Sequence, residues 1–421
     1  MSESEARTKA RLAKNASHEL AMSPAAQRSR AIAEAARLIL ERADAIIAAN
    51  ARDLERARAH HMALPLQDRL LLDEGRLQGI ADSLDQIAGQ PDPLGRVLGG
   101  GTLDSGVRFE RITVPLGVVA IVYEARPNVT ADAFALCMRS GNACVLKGGS
   151  AAQESCQAIV DVCREALEVA GLPADVLQYV GDDASHAQTR ELLTASGLID
   201  VLIPRGGANL IQTCVQNATV PTIETGTGNC HVYLHRDADP EKAVNIVVNA
   251  KTQRPGVCNA AESLLVDACA AERLLPDVLR ALAERGVELV GDELARTVAA
   301  SAGVAMGEAT EEDWGTEYLD LKMSVCCVED VDAAIAHVNR YGTGHSEAIV
   351  TESYAASEAF LAGVDAAAVY SNASTRFTDG GVYGLGGEIG ISTQKLHARG
   401  PMGAAELVSS KYVLRGDGQV R

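Results

Sequence analysis

Aromatic side chains are scarce in this chain, at 3% of 421 residues, so its interior must be built from Ala, Val, Leu and Ile within the 47% that is hydrophobic. Positive charge is also in deficit: 38 Lys and Arg face 56 Asp and Glu, a formal net charge of −18. That balance argues against nucleic acid, whose binders are usually basic, and against an anionic membrane surface. No apolar run approaches the roughly 20 residues of a membrane span. The opening Met-Ser-Glu-Ser-Glu-Ala-Arg is charged and lacks the apolar core of a secretory signal, so a cytoplasmic location is expected. No CxxC pair occurs among the ten cysteines, and most of these sit inside apolar runs. Neither a metal site nor a disulfide framework has spacing to support it; buried, inert thiols in a reducing compartment are expected. A true GxGxxG after a strand is missing as well: Gly226-Thr-Gly-Asn-Cys-His fails at the third glycine, and Gly384-Leu-Gly-Gly-Glu-Ile-Gly has the wrong spacing.

What is present is a helical start followed by alternation. The length predicts two sizeable domains. Residues 1–90 read as helices: Ser23-Pro24 gives a cap and a first-turn proline, Ile32, Ala35, Ile39, Ala43 and Ile46 recur at helical spacing, and a further helix covers about 66–87. Residues 97–113 read as a hairpin arm. From Pro115 the pattern is strand, helix, strand, helix, as in an open, mainly parallel α/β sheet. Helices are expected over 130–139, 151–170 and 184–195, and strands at 117–123, 143–146, 176–180, 199–203 and 220–223. Such sheets bind ligands at strand carboxyl ends, and three of these ends carry glycines beside a charge: Lys147-Gly148-Gly149, Arg205-Gly206-Gly207 and Glu224-Thr225-Gly226. A second alternation runs from Glu262 to Tyr370.

One cysteine stands apart. Cys258 follows a Pro-Gly break and precedes Asn-Ala-Ala-Glu, which reads as a first helical turn. There the peptide dipoles and unpaired N–H groups would favour thiolate and hold an oxyanion, with Lys251 and Arg254 adding to the field.

The order of these parts, with Tyr-Glu-Ala-Arg-Pro-Asn-Val-Thr (123–130), Ile-Pro-Arg-Gly-Gly (203–207), Gln-Arg-Pro-Gly-Val-Cys-Asn-Ala-Ala-Glu (253–262) and Ser-Thr-Gln-Lys-Leu-His-Ala-Arg-Gly-Pro-Met-Gly (392–403), resembles the aldehyde dehydrogenase superfamily, specifically its acyl-phosphate-reducing branch. The resemblance implies an aldehyde dehydrogenase-like α/β fold with two open α/β domains and a projecting hairpin. It places a cofactor-binding domain at 1–101 and 117–255, a catalytic domain at 256–375, an oligomerisation element at 102–116 and 405–421, and a returning segment at 376–404. It implies NADPH-dependent reduction of L-glutamyl 5-phosphate to glutamate 5-semialdehyde, with phosphate and NADP released, in proline biosynthesis. Cys258 is the implied nucleophile, and Asn128 the amide beside the reacting carbonyl. Lys147 is implied to reach the adenosine ribose, and Glu317 the nicotinamide ribose. Glu224 aligns with the water-activating base of hydrolytic relatives; because a thioester must be kept from water here, loop ordering or cofactor contact is expected instead. Both reactants are polyanions on an acidic chain, so cations must gather locally: Arg126, Lys251, Arg254, Arg376, Lys395, His397 and Arg399 are the candidates. A homo-oligomer is expected. Two other readings stay open: a different acyl-CoA or aldehyde dehydrogenase on the same scaffold, and a silent scaffold subunit, in complex with the glutamate 5-kinase that makes the acyl phosphate.

Overall fold

The computed structural model describes residues 3–124, 126–181 and 185–421. Ala125 of the 123–130 motif and Ala184 at an expected helix start lie outside them. The chain forms two compact units: Met1–Thr225 with Gly384–Gly390 and Pro401–Arg421, and Gly226–Tyr383 with Ile391–Gly400. The division falls at Thr225–Gly226, not after 255.

In the first unit, helices Glu5–Met22, Ala25–Glu41, Ala43–Ala59, Leu64–Leu70 and Glu74–Ala88 precede the sheet. The single helix expected over 66–87 is two. Asp73 leaves the helical conformation to accept from the Arg76 N–H at 2.8 Å. Buried Asn50 holds the break, donating to the Leu70 carbonyl and accepting from the Leu72 N–H, each at 2.8 Å. The sheet orders strands Leu177–Tyr179, Ala143–Lys147, Val118–Tyr123 and Val201–Arg205, all parallel. Val118–Tyr123 is buried throughout, as a central strand covered on both faces must be. The strand expected at 220–223 is reduced to one bridge, Leu202 to Thr222. Helix Ala187–Leu193 occupies the described part of the one expected over 184–195. The hairpin arm pairs Val97–Thr102 with Arg108–Pro115, and Val408–Arg415 adds a third antiparallel strand.

The second unit is a seven-stranded parallel sheet. Its order is Gly307–Glu308, Glu288–Gly291, Lys322–Val328, Ala261–Asp267, Cys230–Leu234, Ser346–Val350 and Ala368–Ser371. Side chains alternate across it. Val232, Leu264 and Val350 pack under helices Pro240–Thr252, Ala271–Ala283 and Glu293–Ser301. Tyr233, Leu265 and Ile349 pack under Val331–Tyr341 and Tyr354–Gly363. Two cores therefore sandwich one sheet, the first aliphatic and the second holding the stacked pair Tyr233 and Phe360 among aliphatic side chains.

Candidate functional site

In the first unit the strand register collects the expected cofactor residues. Lys147 lies opposite Val122, and Arg205 opposite Tyr123, so three neighbouring strands end together. Strand order reverses here, the usual place for a ligand in such a sheet. Lys147 is only 3% exposed and donates to the Gly148 carbonyl at 2.9 Å. It is a buried ammonium rather than a solvated surface charge. Arg205 faces Glu388 at 3.7 Å, and its Nε is buried with no acceptor among the described residues. A Cβ on Gly148 would come within 3.0 Å of the Tyr179 hydroxyl, so the Gly-Gly turn is tightly enclosed. Glu124, unforeseen from sequence, accepts the Gly207 N–H at 3.0 Å where helix Ala208–Asn217 begins. A Cβ on Gly206 would lie 2.7 Å from the same carboxyl. Thr225 donates to the Pro204 carbonyl at 2.7 Å, anchoring the half-buried Glu224 loop to its strand.

Asn128 opens helix Asn128–Arg139 but does not cap it: Pro127 holds the cap position, and the exposed Asn128 amide donates to Asp132 at 3.3 Å. Burial pushes the Asp132 carboxyl up to about 6, against hydrogen bonds from Asn128 and Ser83. Arg126 is half-buried two residues before this helix.

In the second unit the expected helix at Cys258 is absent. The helix before it ends at Thr252, and Val257–Ala260 is a tight turn closed by the Ala260 N–H on the Val257 carbonyl at 3.0 Å. The chain then enters the strand Ala261–Asp267. A central strand must be fed in extended form, which overrides the helical reading of Asn-Ala-Ala-Glu. Cys258 therefore does not stand in the first turn of a helix, and the helix that precedes it in the chain, Pro240–Thr252, presents only a carboxyl end, of the wrong sign for a thiolate.

The field at the sulfur has another source. Arg376 is half-buried, with Nε donating to the Gln253 side chain at 2.9 Å. Burial pulls its pKa below the usual guanidinium range and Arg254 pushes the same way, while Asp379 and Cys258 oppose. Arg376 thus lies within electrostatic reach of both Arg254 and Cys258. Lys251 is excluded from this group: it is fully buried and bonded to Glu262 at 2.5 Å. Cys258 is half-buried, whereas Cys137, Cys144, Cys156, Cys163, Cys214 and Cys230 are buried.

The turn is gripped from three sides. Thr375 donates to the Asn259 carbonyl at 2.7 Å, and the Asn259 amide donates to the Thr378 carbonyl at 2.8 Å. The Cys230 thiol meets the Cys258 carbonyl at 3.2 Å. A Cβ on Gly228 would lie 1.4 Å from that carbonyl oxygen, so only glycine fits there. Gly228 in turn donates its N–H to Glu317 at 2.7 Å. Glu317 and Cys258 are so joined through one glycine, with burial raising the Glu317 carboxyl. The Gly226 N–H bonds the Ile391 carbonyl at 3.0 Å. Lys395 and Arg399 both bind Asp365, Arg399 at 2.8 Å, and His397 is exposed at a positive φ of 73°. Sequence reasoning missed Asn259, His345, Glu347 and the stapling segment 375–378. Only Arg376 of that segment carried a signal, its charge. Among the described residues no group of His, Cys, Asp or Glu could hold a metal, and no helix is long and apolar enough to cross a membrane.

Two parallel α/β units with a projecting antiparallel arm and a half-exposed cysteine before a central strand define an aldehyde dehydrogenase architecture, and the chain belongs to the aldehyde dehydrogenase family, whose profile matches residues 1–309. The chain is 50% identical over 413 residues to the gamma-glutamyl phosphate reductase of Clostridium perfringens, covering 98% of each. It is 49% identical over 419 residues to that of Thermobifida fusca, covering 100% of this chain and 99% of the other. The crystal structure of the Thermotoga maritima gamma-glutamyl phosphate reductase superposes with a TM-score of 0.95 at 42% identity, over 99% of this chain and 100% of that one. Within its family the chain groups with these gamma-glutamyl phosphate reductases and is an oxidoreductase.

Proposed function

We propose that the protein reduces L-glutamyl 5-phosphate to L-glutamate 5-semialdehyde, with Cys258 carrying the acyl group, in the synthesis of proline. The observation that supports this most is the Cys258 turn: a half-buried thiol, locked at its backbone, with Arg376 in electrostatic reach. The thiolate attacks the acyl-phosphate carbonyl, the C–O bond to phosphate breaks, and inorganic phosphate leaves with its electron pair. A thioester remains on Cys258. A nicotinamide cofactor held at the strand ends of the first unit would supply hydride chemistry for reducing this thioester, NADPH being the form proposed, and Cys258 would be returned as the free thiolate when the aldehyde is released. Asn128 is the side-chain donor for the oxyanion in both steps. Arg254 and Arg376 hold the sulfur ionised and receive the departing phosphate, for which forked donors are suited.

The strand ends fit a dinucleotide. Arg205 has a buried donor without an acceptor among the described residues, and Lys147 stands beside the glycine turn for the ribose phosphate that marks NADPH. Glu124 holds the N–H at the start of helix Ala208–Asn217, so a phosphate drawn to that end must displace its carboxylate. Glu224 and Thr225 order the connecting loop, and Glu317 holds Gly228 against the nucleophile. Lys395, His397 and Arg399 serve the amino-acid end of the substrate. The three-stranded arm, with Val97, Tyr412 and Leu414 exposed, serves as a surface for a second copy of the chain.

The reverse reaction tests the whole: glutamate semialdehyde, phosphate and NADP should yield NADPH absorbance that depends on phosphate. Cys258→Ala should abolish it while the thermal melt is retained. Turnover that requires coenzyme A, or proceeds without phosphate, sinks the reading.

A further inference from the structure

Behind the Cys258 turn, the strand Ser346–Val350 carries a carboxylate that the proposed chemistry leaves unused. Glu347 is 0% exposed. Its Oε2 accepts the His231 N–H at 2.7 Å and meets the His231 ring Nδ1 at 3.0 Å. Its Oε1 has no hydrogen-bond partner among the described residues, and nor has the His231 Nε2. A buried carboxylate oxygen without a donor is costly and calls for an occupant.

Room for one exists. Glu347 lines a cavity of about 230 Å³ with Gly342, Gly344 and Asp365, far above the ~10–15 Å³ one water needs. The glycines keep it open. A Cβ on Gly342 would lie 2.6 Å from the Val338 carbonyl oxygen, 3.1 Å from the Glu347 Oε1 and 3.6 Å from the His231 ring. A Cβ on Gly344 would lie 3.9 Å from the Arg399 guanidinium.

The charges are divided across this space. At the floor, Glu347 has one oxygen to spare, and His337, facing the His231 ring at 5.7 Å, is held down to about 4 by burial and so carries no charge at neutral pH. At the rim, two cations, Lys395 and Arg399, share the single carboxylate of Asp365. Burial raises the Glu347 carboxyl, against the His231 ring, and an ammonium seated there would restore its charge. That floor and a positive rim, spaced by two glycines whose Cα atoms are at most about 7 Å apart, match a zwitterion.

We propose that this cavity binds the head group of an α-amino acid, with its ammonium on Glu347 Oε1 and its carboxylate toward Arg399. Resting on the function proposed above, the first source of such a group is the glutamyl substrate itself; a free amino acid has the same chemistry. The connection to the proposed nucleophile is short: His345, immediately before the strand, has its Nδ1 3.8 Å from the Cys230 sulfur that touches the Cys258 carbonyl.

Calorimetry with L-glutamate and with its des-amino analogue glutarate tests this without requiring turnover. The wild-type protein should bind L-glutamate at least about ten-fold more tightly than glutarate, the worth of one charge-assisted hydrogen bond. Glu347→Gln keeps the acceptor for His231 and should remove that preference. Arg399→Gln, which removes the rim cation beside Gly344, should weaken L-glutamate binding with the thermal melt retained. Equal L-glutamate binding by all three proteins, or none by the wild type at about 10 mM, overturns the proposal. The source is read from the reverse reaction. A raised KM for the semialdehyde with kcat retained in Glu347→Gln assigns the head group to the substrate; lost L-glutamate binding with KM unchanged assigns it to a free amino acid. Absence of phosphate-dependent turnover in the wild type sinks the proposed reaction and leaves the binding result standing.

Discussion

Gly228 shows how much a missing side chain can contribute. Its place against the Cys258 carbonyl leaves no volume for a methyl group, so Gly228→Ala must move the peptide of the proposed nucleophile. Overpacking of this kind costs about 1–3 kcal/mol, and the displaced sulfur adds a catalytic penalty. Urea melts and kcat should fall together in this variant; a fall in stability with kcat intact would show that the sulfur's position is not critical. Asn128 is the contrasting case. It is exposed and bonded only weakly to Asp132, so Asn128→Ala should leave the melt within about 0.5 kcal/mol while kcat drops about 10²–10³-fold, the usual loss for an oxyanion donor. A normal kcat would remove Asn128 from the chemistry. The polar flanks and the Pro-Gly break singled out Cys258 in the sequence, and the fold leaves it half-buried while six other cysteines are buried. The electrostatic contact with Arg376 was not legible, because that arginine lies far along the chain and only folding brings it in.

Between elements, the buried pair Lys251–Glu262 joins helix Pro240–Thr252 to strand Ala261–Asp267. For both partners burial outweighs their attraction: it raises the Glu262 carboxyl to about 7 and lowers the Lys251 ammonium. The unfolded carboxyl ionises near 4.3. As pH rises from about 4.3 to about 7, the unfolded chain has already released a proton that the folded chain keeps, so stability contributed by Glu262 is lost across that window. Lys251 stays protonated in the unfolded chain throughout it. The double variant Lys251→Met with Glu262→Gln, which avoids leaving one charge alone, should flatten the pH dependence of the melting temperature there; an unchanged slope would place the titration elsewhere. Elements themselves were largely legible, since uninterrupted apolar runs marked the strands of both sheets. The misreadings share one cause. The break at Leu71–Asp73 depends on Asn50, and the extended run after Cys258 depends on the strands beside it; neither partner is local.

For the molecule as a whole, the arm is the least buried regular structure. Every residue of Val97–Thr102 is exposed, and Val408–Arg415 is exposed along most of its length. A sheet open on both edges invites pairing. If the arm joins two copies, deleting residues 408–421 should reduce the mass measured by light scattering to that of one shortened chain, a little below the 44.1 kDa of the full chain, while far-UV circular dichroism is largely kept. The same oligomer before and after deletion would remove the arm from subunit contact.

The alternation in the second sheet carries a restriction on how this chain can vary in length. Odd-numbered positions of Ser346–Val350 set Glu347 and Ile349 toward one helical layer, and even-numbered ones set Ala348 and Val350 toward the other. Inserting a single residue after Ser346 would swap these sides and press a carboxylate into hydrocarbon. Indels in this stretch can therefore be accommodated only beyond the strand's ends, where the glycines at 342 and 344 already bend the chain.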